Sequence, residues 1–189
     1  MGKIEVMQTE APLPVKFFVG ALFSDVARLE QSFVLLEKSF SPIDLQSKDF
    51  PFDVTDYYIS EMGAPIQRRI VSFERLHNPI DLFEAKLACN AIENSLAVDG
   101  KRHVNLDIGY MDYDKVVLAS AKYGIHKVYL GSGIYADMAL HYEKGRYIPY
   151  PWAFMDFKLD RYHATFLKIR GIYKKQLKAL RQTETGSAA

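Results

Sequence analysis

Residues 15–38 read VKFFVGALFSDVARLEQSFVLLEK, and the predicted fold is built outward from this stretch. Its first nine residues, 15–23, are apolar and β-prone, which predicts a strand. Ser24 then predicts a helix N-cap. The apolar residues that follow recur at helical spacing: Val26, Leu29, Phe33 and Leu36. The stretch therefore predicts one strand followed directly by an amphipathic helix over 25–38.

The rest of the chain continues this alternation. A loop is predicted over 39–53, a hairpin from strands at 55–61 and 66–73, a helix over 80–98 and a strand over 102–108. Further strands are predicted at 115–121, 126–130, 134–142 and 146–150, and a long helix at 159–182. The order strand, helix, strand, strand, helix, strand is that of the ferredoxin-like, split βαβ fold. The predicted class is α+β, with a ferredoxin-like core, an extended antiparallel sheet and a long C-terminal helix.

Length and composition favour a single globular unit. The chain has 189 residues, 49% of them hydrophobic and 25% charged, which is the balance of an ordinary folded domain. We predict a lead-in over 1–14, one α+β domain over 15–182 and a disordered tail over 183–189.

The compartment and the partners are constrained mainly by what the sequence lacks. Cys89 is the only cysteine, so no intrachain disulfide forms. We find neither a secretory signal nor an apolar run long enough to span a bilayer, and we expect a cytoplasmic protein with no membrane partner. The P-loop, the dinucleotide-binding glycine motif, the nucleophile elbow and the HExxH zinc motif are all missing.

Positive charge is concentrated near the C-terminus. The net charge of the chain is +1, whereas residues 158–181 hold eight Lys or Arg and one acidic residue, a local charge of +7. This segment is the basis for a nucleic-acid-binding or assembly module. A solvated helix face docked on the acidic remainder of the chain explains the same pattern.

Two predicted strands carry groups that ligate metals or transfer protons. Alternation over 102–109 places His103, Asn105 and Asp107 on one strand face, and alternation over 134–142 does the same for Asp137 and His141. If the two faces coincide, His103, Asp107, Asp137 and His141 are candidate ligands of a divalent metal, a cofactor that the sequence leaves open. The alternative is the solvated face of an ordinary sheet.

Three other segments add polar groups to the candidate site. Lys86, Asn90 and Glu93 share one side of the second helix. The segment 52–63 offers Tyr57 for ring stacking and Glu61 at a loop mouth. Lys122 and His126 flank a glycine turn. An ordinary surface helix, buried tyrosines and a tight hairpin turn explain the same three patterns.

These same segments carry a family resemblance. FDVTDYYISEMG (52–63), NLDIGY (105–110), VLASAKYGIHKVYLGSGIYADMALHY (117–142) and PWAFMDF (151–157) together resemble an uncharacterised bacterial family, domain of unknown function 4416. The resemblance covers nearly the whole chain and implies no established catalytic residues. The chain departs from the family pattern at Ile108, where a proline is usual, and at WAFMDF, where W-T-Y-P-D-Y is usual.

The sequence thus supports three hypotheses. The leading one is a domain that binds, and in one version turns over, an anionic phosphorylated or nucleotide-like small molecule. In it, Lys86, Arg102 and Lys122 neutralise the anion, and Asn90, Asn105 and Tyr57 orient the ligand. Asp107 and Glu61 act as metal ligands or general base, and His126 acts as the acid. The alternatives are a nucleic-acid-binding or assembly module that uses the basic helix, and a structural partner-binding protein.

Overall fold

The computed structural model describes residues 9–186, in which nine strands, five α-helices and one short 3₁₀ helix (Pro79–Asp81) form. The strands are β1 (Val15–Phe23), β2 (Ile43–Gln46), β3 (Phe50–Pro51), β4 (Gln67–His77), β5 (Val104–Met111), β6 (Lys115–Ser120), β7 (Val128–Gly131), β8 (Ile134–Glu143) and β9 (Arg146–Pro149). The helices are α1 (Val26–Ser39), α2 (Ile59–Met62), α3 (Leu82–Ser95), α4 (Met155–Lys158) and α5 (His163–Gly186).

One antiparallel sheet contains all nine strands. Its order is β2-β4-β1-β5-β6-β8-β7, with β3 paired to β4 and β9 paired to β8. Within it, β5, β1, β4 and β2 lie side by side, and each neighbouring pair is antiparallel. The prediction of an α+β protein with a large antiparallel sheet and a C-terminal helix is confirmed.

Helices cover the central strand on both faces. Every residue of β1 is buried, because its side chains alternate between two cores. Phe17, Val19 and Ala21 belong to the core beneath α1 and α3. Phe18 and Ile70 belong to the core beneath α5, which also receives the aromatic residues around α4. The molecule is therefore layered as helices, sheet and helix.

Three local predictions are corrected. Residues 55–61 form a turn and the start of α2 rather than a strand, and the strands that pair with β4 are β1, β2 and β3. Strands β2 and β3 both lie in the predicted loop over 39–53. The α1 N-cap is Asp25 rather than Ser24, because the Asp25 carboxylate accepts hydrogen bonds from the backbone N–H groups of Ala27 and Arg28.

The chain ends differ from the prediction as well. Residues 183–186, predicted to belong to a disordered tail, continue α5. Residues 187–189, and residues 1–8 of the predicted lead-in, lie outside the described residues. Among residues 9–186, no helix is both long and apolar enough to cross a membrane.

Candidate functional site

A cleft opens where β5 and β6 separate. β5 pairs with β1 along its whole length, whereas it pairs with β6 only over Gly109–Met111. On the N-terminal side of Gly109, the two strands separate and line one cavity. Asn105 and Asp107 of β5 form one wall, and the end of β6 from Leu118 to Ser120 forms the other. The gap in the sheet is thus the origin of the candidate site.

Two buried side chains of α3 complete the backbone hydrogen bonds of β5 in this gap. The Leu106 N–H donates to the Glu93 carboxylate at 2.7 Å, and Lys86 Nζ donates to the Leu106 carbonyl at 2.9 Å. Lys86 Nζ also lies 3.8 Å from Glu93 Oε1. Buried backbone groups need such partners, so the charged pair performs the role that a β6 residue would otherwise fill.

Arg102 connects this pair to α2. Its guanidinium donates to both carboxylate oxygens of Glu61, at 2.7 and 2.8 Å, in the two-point geometry that arginine forms with carboxylates. It also donates to Glu93 and to the Asn105 side-chain carbonyl, each at 3.0 Å. These hydrogen bonds raise the pKa of Arg102 above its ordinary value, with Glu61 as the first cause. The positive charge of Arg102 is therefore already neutralised by Glu61 and Glu93.

Asp107 lies on the wall of the cleft with one protein donor for each oxygen. Asn105 Nδ2 donates to Oδ1 at 2.9 Å, and Arg68 Nη2 donates to Oδ2 at 3.0 Å. The side chain is partly exposed, and a carboxylate has about four acceptor positions. The two positions left over are available to a ligand.

Arg68 is a buried cation held among aromatic rings. Its guanidinium lies 5.2 Å from the ring centroid of Phe52 and 5.6 Å from that of Phe157, and its Nε lies 3.3 Å from Asp156 Oδ2. Burial lowers the pKa of Arg68, but the carboxylates of Asp156 and Asp107 outweigh it and raise that pKa above its ordinary value. The arginine thus stays charged while buried, and it fixes Asp107.

A glycine on β1 leaves the space for this arginine. A Cβ atom at Gly20 would lie 3.0 Å from Arg68 Nη1, which is closer than carbon and nitrogen normally approach. Gly20 also faces Asp107 across the β1–β5 register. The absence of a side chain at Gly20 is therefore part of the site.

Two adjoining cavities make up the cleft, with volumes of about 240 and 370 Å³. The two cavities share five of their lining residues: Tyr57, Tyr58, Asp107, Lys122 and Phe154. Tyr57 and Phe154 are 61% and 53% exposed, so their rings are open to a ligand. Burial, with Asp107 as the next cause, raises the pKa of Tyr58 to about 12, so its hydroxyl stays protonated at neutral pH.

Lys122 is the cation at the mouth of the cleft. Its Nζ lies 3.3 Å from the Tyr57 hydroxyl and 4.7 Å from the centroid of the Tyr57 ring. Within the described part of the chain, no carboxylate lies within salt-bridge distance of it. A ligand anion is the complement that this ammonium group would attract.

All six predicted ligand-binding residues converge on the cleft, together with the catalytic candidate Asp107. The first cavity is lined by Tyr57, Lys86, Asn90, Arg102, Asn105, Asp107 and Lys122. Glu61 lies behind Arg102, to which it is bonded. His126 lines neither cavity; its ring stacks on Trp152, with the ring centroids 5.2 Å apart.

The four metal candidates do not form one site. Asp107 is bonded to Asn105 and Arg68, whereas Asp137 is buried 3.4 Å from Lys127 Nζ. His141 lies 3.8 Å from Glu143, and His103 precedes β5 rather than lying within it. Within residues 9–186, no three His, Cys, Asp or Glu side chains are grouped so that they could hold a metal ion.

Sequence reasoning missed the second half of the site. Arg68, Phe154 and Asp156 line the second cavity, but the sequence places Arg68 only in a predicted strand, and Phe154 and Asp156 only in the family-like stretch 151–157. The one available signal is the charged pair Arg68–Arg69 in the predicted strand 66–73, since a buried strand position rarely holds an unpaired arginine.

Comparison with known proteins gives a family and nothing more specific. The profile of a family described as domain of unknown function (DUF4416) matches residues 13–173. No curated protein and no solved structure matches the chain.

Proposed function

This chain belongs to the family described as domain of unknown function DUF4416, and we propose that it binds an anionic small molecule with a planar ring in the cleft between β5 and β6. A phosphorylated or nucleotide-like compound has both features. The family description assigns no activity, so the support for this proposal is the geometry of the cleft.

The observation that carries the proposal is the shared lining of the two cavities. Two tyrosines, one phenylalanine, one carboxylate and one ammonium group meet there: Tyr57, Tyr58, Phe154, Asp107 and Lys122. A mostly apolar cleft with a few convergent polar groups is the usual form of a small-molecule site.

Each shared group suits one part of such a ligand. The exposed rings of Tyr57 and Phe154 suit the planar ring. Lys122 suits the anionic group, and Asp107 suits a hydroxyl or N–H donor, since its carboxylate only accepts hydrogen bonds. Lys86 and Arg102 are engaged by Glu93 and Glu61, so the proposal gives them a positioning role in place of anion binding.

A thermal-shift screen tests the proposal directly. The purified chain is titrated with nucleoside monophosphates, sugar phosphates and inorganic phosphate. A ligand at 100 times its Kd stabilises the native state by about 2.7 kcal/mol. This corresponds to a rise in Tm of roughly 5–10 °C for a chain of this size.

Lys122→Gln and Asp107→Asn should each weaken binding of the best compound by about tenfold.

The matched control is Lys178→Gln, which removes a charge from the exposed face of α5 and should leave the ligand affinity unchanged. The Tm of each variant without ligand separates a binding defect from a folding defect. The proposal is overturned if no compound raises the Tm, or if Lys122→Gln and Asp107→Asn bind as tightly as the wild type.

We also propose that the core is ferredoxin-like. The chain order β1, α1, β2, β4, α3, β5 and the spatial order β5-β1-β4-β2 are those of a split βαβ arrangement. Under this assignment, β3 and α2 are insertions between β2 and β4, and α2 brings Tyr58 to the cleft.

Nucleic-acid binding by the basic segment is the second candidate. Lys158, Arg161 and Arg170 are bonded within the molecule, whereas Lys168, Lys174, Lys175 and Lys178 are exposed on α5. Binding of single-stranded RNA through these lysines would weaken steeply with salt, and Lys174→Ala with Lys175→Ala should abolish it. Salt-independent binding that survives both substitutions would contradict this candidate.

A further inference from the structure

We infer that the end of the molecule beside the cleft is a docking surface for anionic lipid membranes. This two-loop surface consists of residues 121–127, between β6 and β7, and residues 152–155, which lead into α4. The inference goes beyond the proposed ligand site and does not depend on it.

The two loops form one continuous surface. The His126 ring of the first loop stacks on Trp152 of the second, with centroids 5.2 Å apart. Trp152 in turn stacks on Tyr150 at 4.8 Å, and its indole N–H donates to the Met138 carbonyl at 2.9 Å. These contacts hold the two loops in a fixed arrangement.

Large apolar side chains project from both loops. Ile125 is 92% exposed and Tyr123 is 73% exposed, and on the second loop Met155 and Phe154 are 56% and 53% exposed. Exposing such side chains to water stabilises nothing in the folded chain, so a group of them in one place marks an interaction site.

The exposed charge on this surface is positive. Residues 116–136 contain no acidic residue, and residues 149–159 contain only Asp156, which is 1% exposed. Lys122 is exposed on the first loop. Lys158 is exposed beside the second, where its Nζ donates to the Pro151 carbonyl at 2.6 Å. The surface therefore complements a negative partner.

An anionic bilayer is the occupant that fits both properties. A second copy docked about a twofold axis would place this positive surface, with Lys122 and Lys158, against the identical positive surface of its partner. A nucleic acid would complement the lysines but offers no apolar medium for Ile125 and Met155. A bilayer offers anionic headgroups to the lysines, an interfacial zone that tyrosine and tryptophan favour, and acyl chains for the aliphatic tips.

Surface docking of this kind requires no membrane-spanning segment. The expectation that the chain has no membrane partner followed from the absence of a long apolar run, which concerns spanning alone. In place of a long apolar run, the two-loop surface has a few apolar side chains that project from its loops.

Vesicle co-sedimentation tests the inference with the full chain. We expect it to sediment with vesicles of phosphatidylcholine and phosphatidylglycerol and to bind pure phosphatidylcholine vesicles less tightly. Raising the salt concentration should release it. Ile125→Ser and Met155→Ser should each weaken binding about tenfold, and Lys122→Gln should weaken it about fivefold.

The matched control is Ile80→Ser. Ile80 is 70% exposed, precedes α3 and lies outside both loops, so its replacement should leave vesicle binding unchanged. The inference is overturned if the wild type does not sediment with anionic vesicles, or if Ile125→Ser and Met155→Ser bind as well as it does. Thermal shifts by phosphorylated compounds are measured on the same variants, because a ligand response without vesicle binding overturns this inference alone.

Discussion

Glu61 joins the short helix α2 to the residues that precede β5. Its carboxylate accepts two side-chain hydrogen bonds from Arg102 and a third, at 3.2 Å, from the Arg102 backbone N–H. The hydrogen bonds from the Arg102 side chain are the first cause that lowers the pKa of Glu61 below its ordinary value of 4.5. Because Tyr57 and Tyr58 precede α2 directly, this contact fixes the aromatic wall of the cleft.

The lowered pKa predicts how this contact responds to pH. A carboxylate whose pKa is lower in the folded state stabilises the protein above its unfolded-state pKa, and that stabilisation is lost as the pH falls through the folded-state pKa. Glu61→Gln should therefore reduce the free energy of unfolding by about 1 kcal/mol at pH 7. The difference from the wild type should shrink as the pH falls below 4.5.

Urea denaturation of both proteins at several pH values measures this difference. Glu84→Gln, an exposed position on α3, serves as the control. A Glu61→Gln difference that is constant between pH 7 and pH 3 would contradict the assignment of the stabilisation to the charged carboxylate.

At the scale of an element, α5 is docked by a few specific contacts as well as by its apolar side. Lys16, buried in β1, donates to Asp44, to the Phe73 carbonyl and to Gln176 of α5, at 2.6, 2.6 and 2.9 Å. The Tyr173 hydroxyl donates to the Pro14 carbonyl at 2.9 Å. The basic helix that suggested a nucleic-acid interface is thus also the layer that covers one face of the sheet.

Gly171 is the weak point of α5, and Gly171→Ala should stabilise the protein. A Cβ atom there would meet no other atom within 4 Å, and the position is exposed. Alanine lowers the conformational freedom of the unfolded chain, so we expect a gain of about 0.5–1 kcal/mol in the free energy of unfolding. Thermal denaturation measures it, and a loss of stability would mean that α5 does not continue as a regular helix through this position.

At the scale of the whole molecule, the cleft exists because the sheet is incomplete between β5 and β6. A buried lysine–glutamate pair is a costly replacement for two backbone partners, since both charges are removed from water. Continued pairing of β5 with β6 would satisfy Leu106 without charges, but it would close the cleft. We interpret Lys86 and Glu93 as the residues that keep the cleft open.

This interpretation predicts a large effect at Glu93. Glu93→Gln keeps the shape of the side chain but leaves Lys86 and Arg102 without their shared carboxylate, so we expect a loss of about 3 kcal/mol in the free energy of unfolding. Glu84→Gln on the same helix should change it by less than about 0.5 kcal/mol. Equal effects of the two substitutions in urea denaturation would show that the buried pair has no special role.

Sequence patterns predicted the elements better than the contacts between them. The predicted strands at 15–23, 102–108, 115–121 and 134–142 and the helices at 25–38 and 80–98 match elements of the structure within a few residues. The prediction for 55–61 was wrong because tyrosine and isoleucine favour strands in general, whereas here they occupy a turn and one helical turn that pack over Phe52.

The sequence by itself determined the α+β class, the apolar faces of the main helices and strands, and the residue types available for a site. These follow from periodicities of two and 3.6 residues, which act between near neighbours in the chain. Only the tertiary structure decided that Asp107 meets Arg68, that Glu61 meets Arg102, and that His126 faces Trp152 away from the cleft. Such pairs lie 39, 41 and 26 residues apart, and they meet because of the order of the strands in the sheet and the paths of the connections between them, which no local pattern encodes.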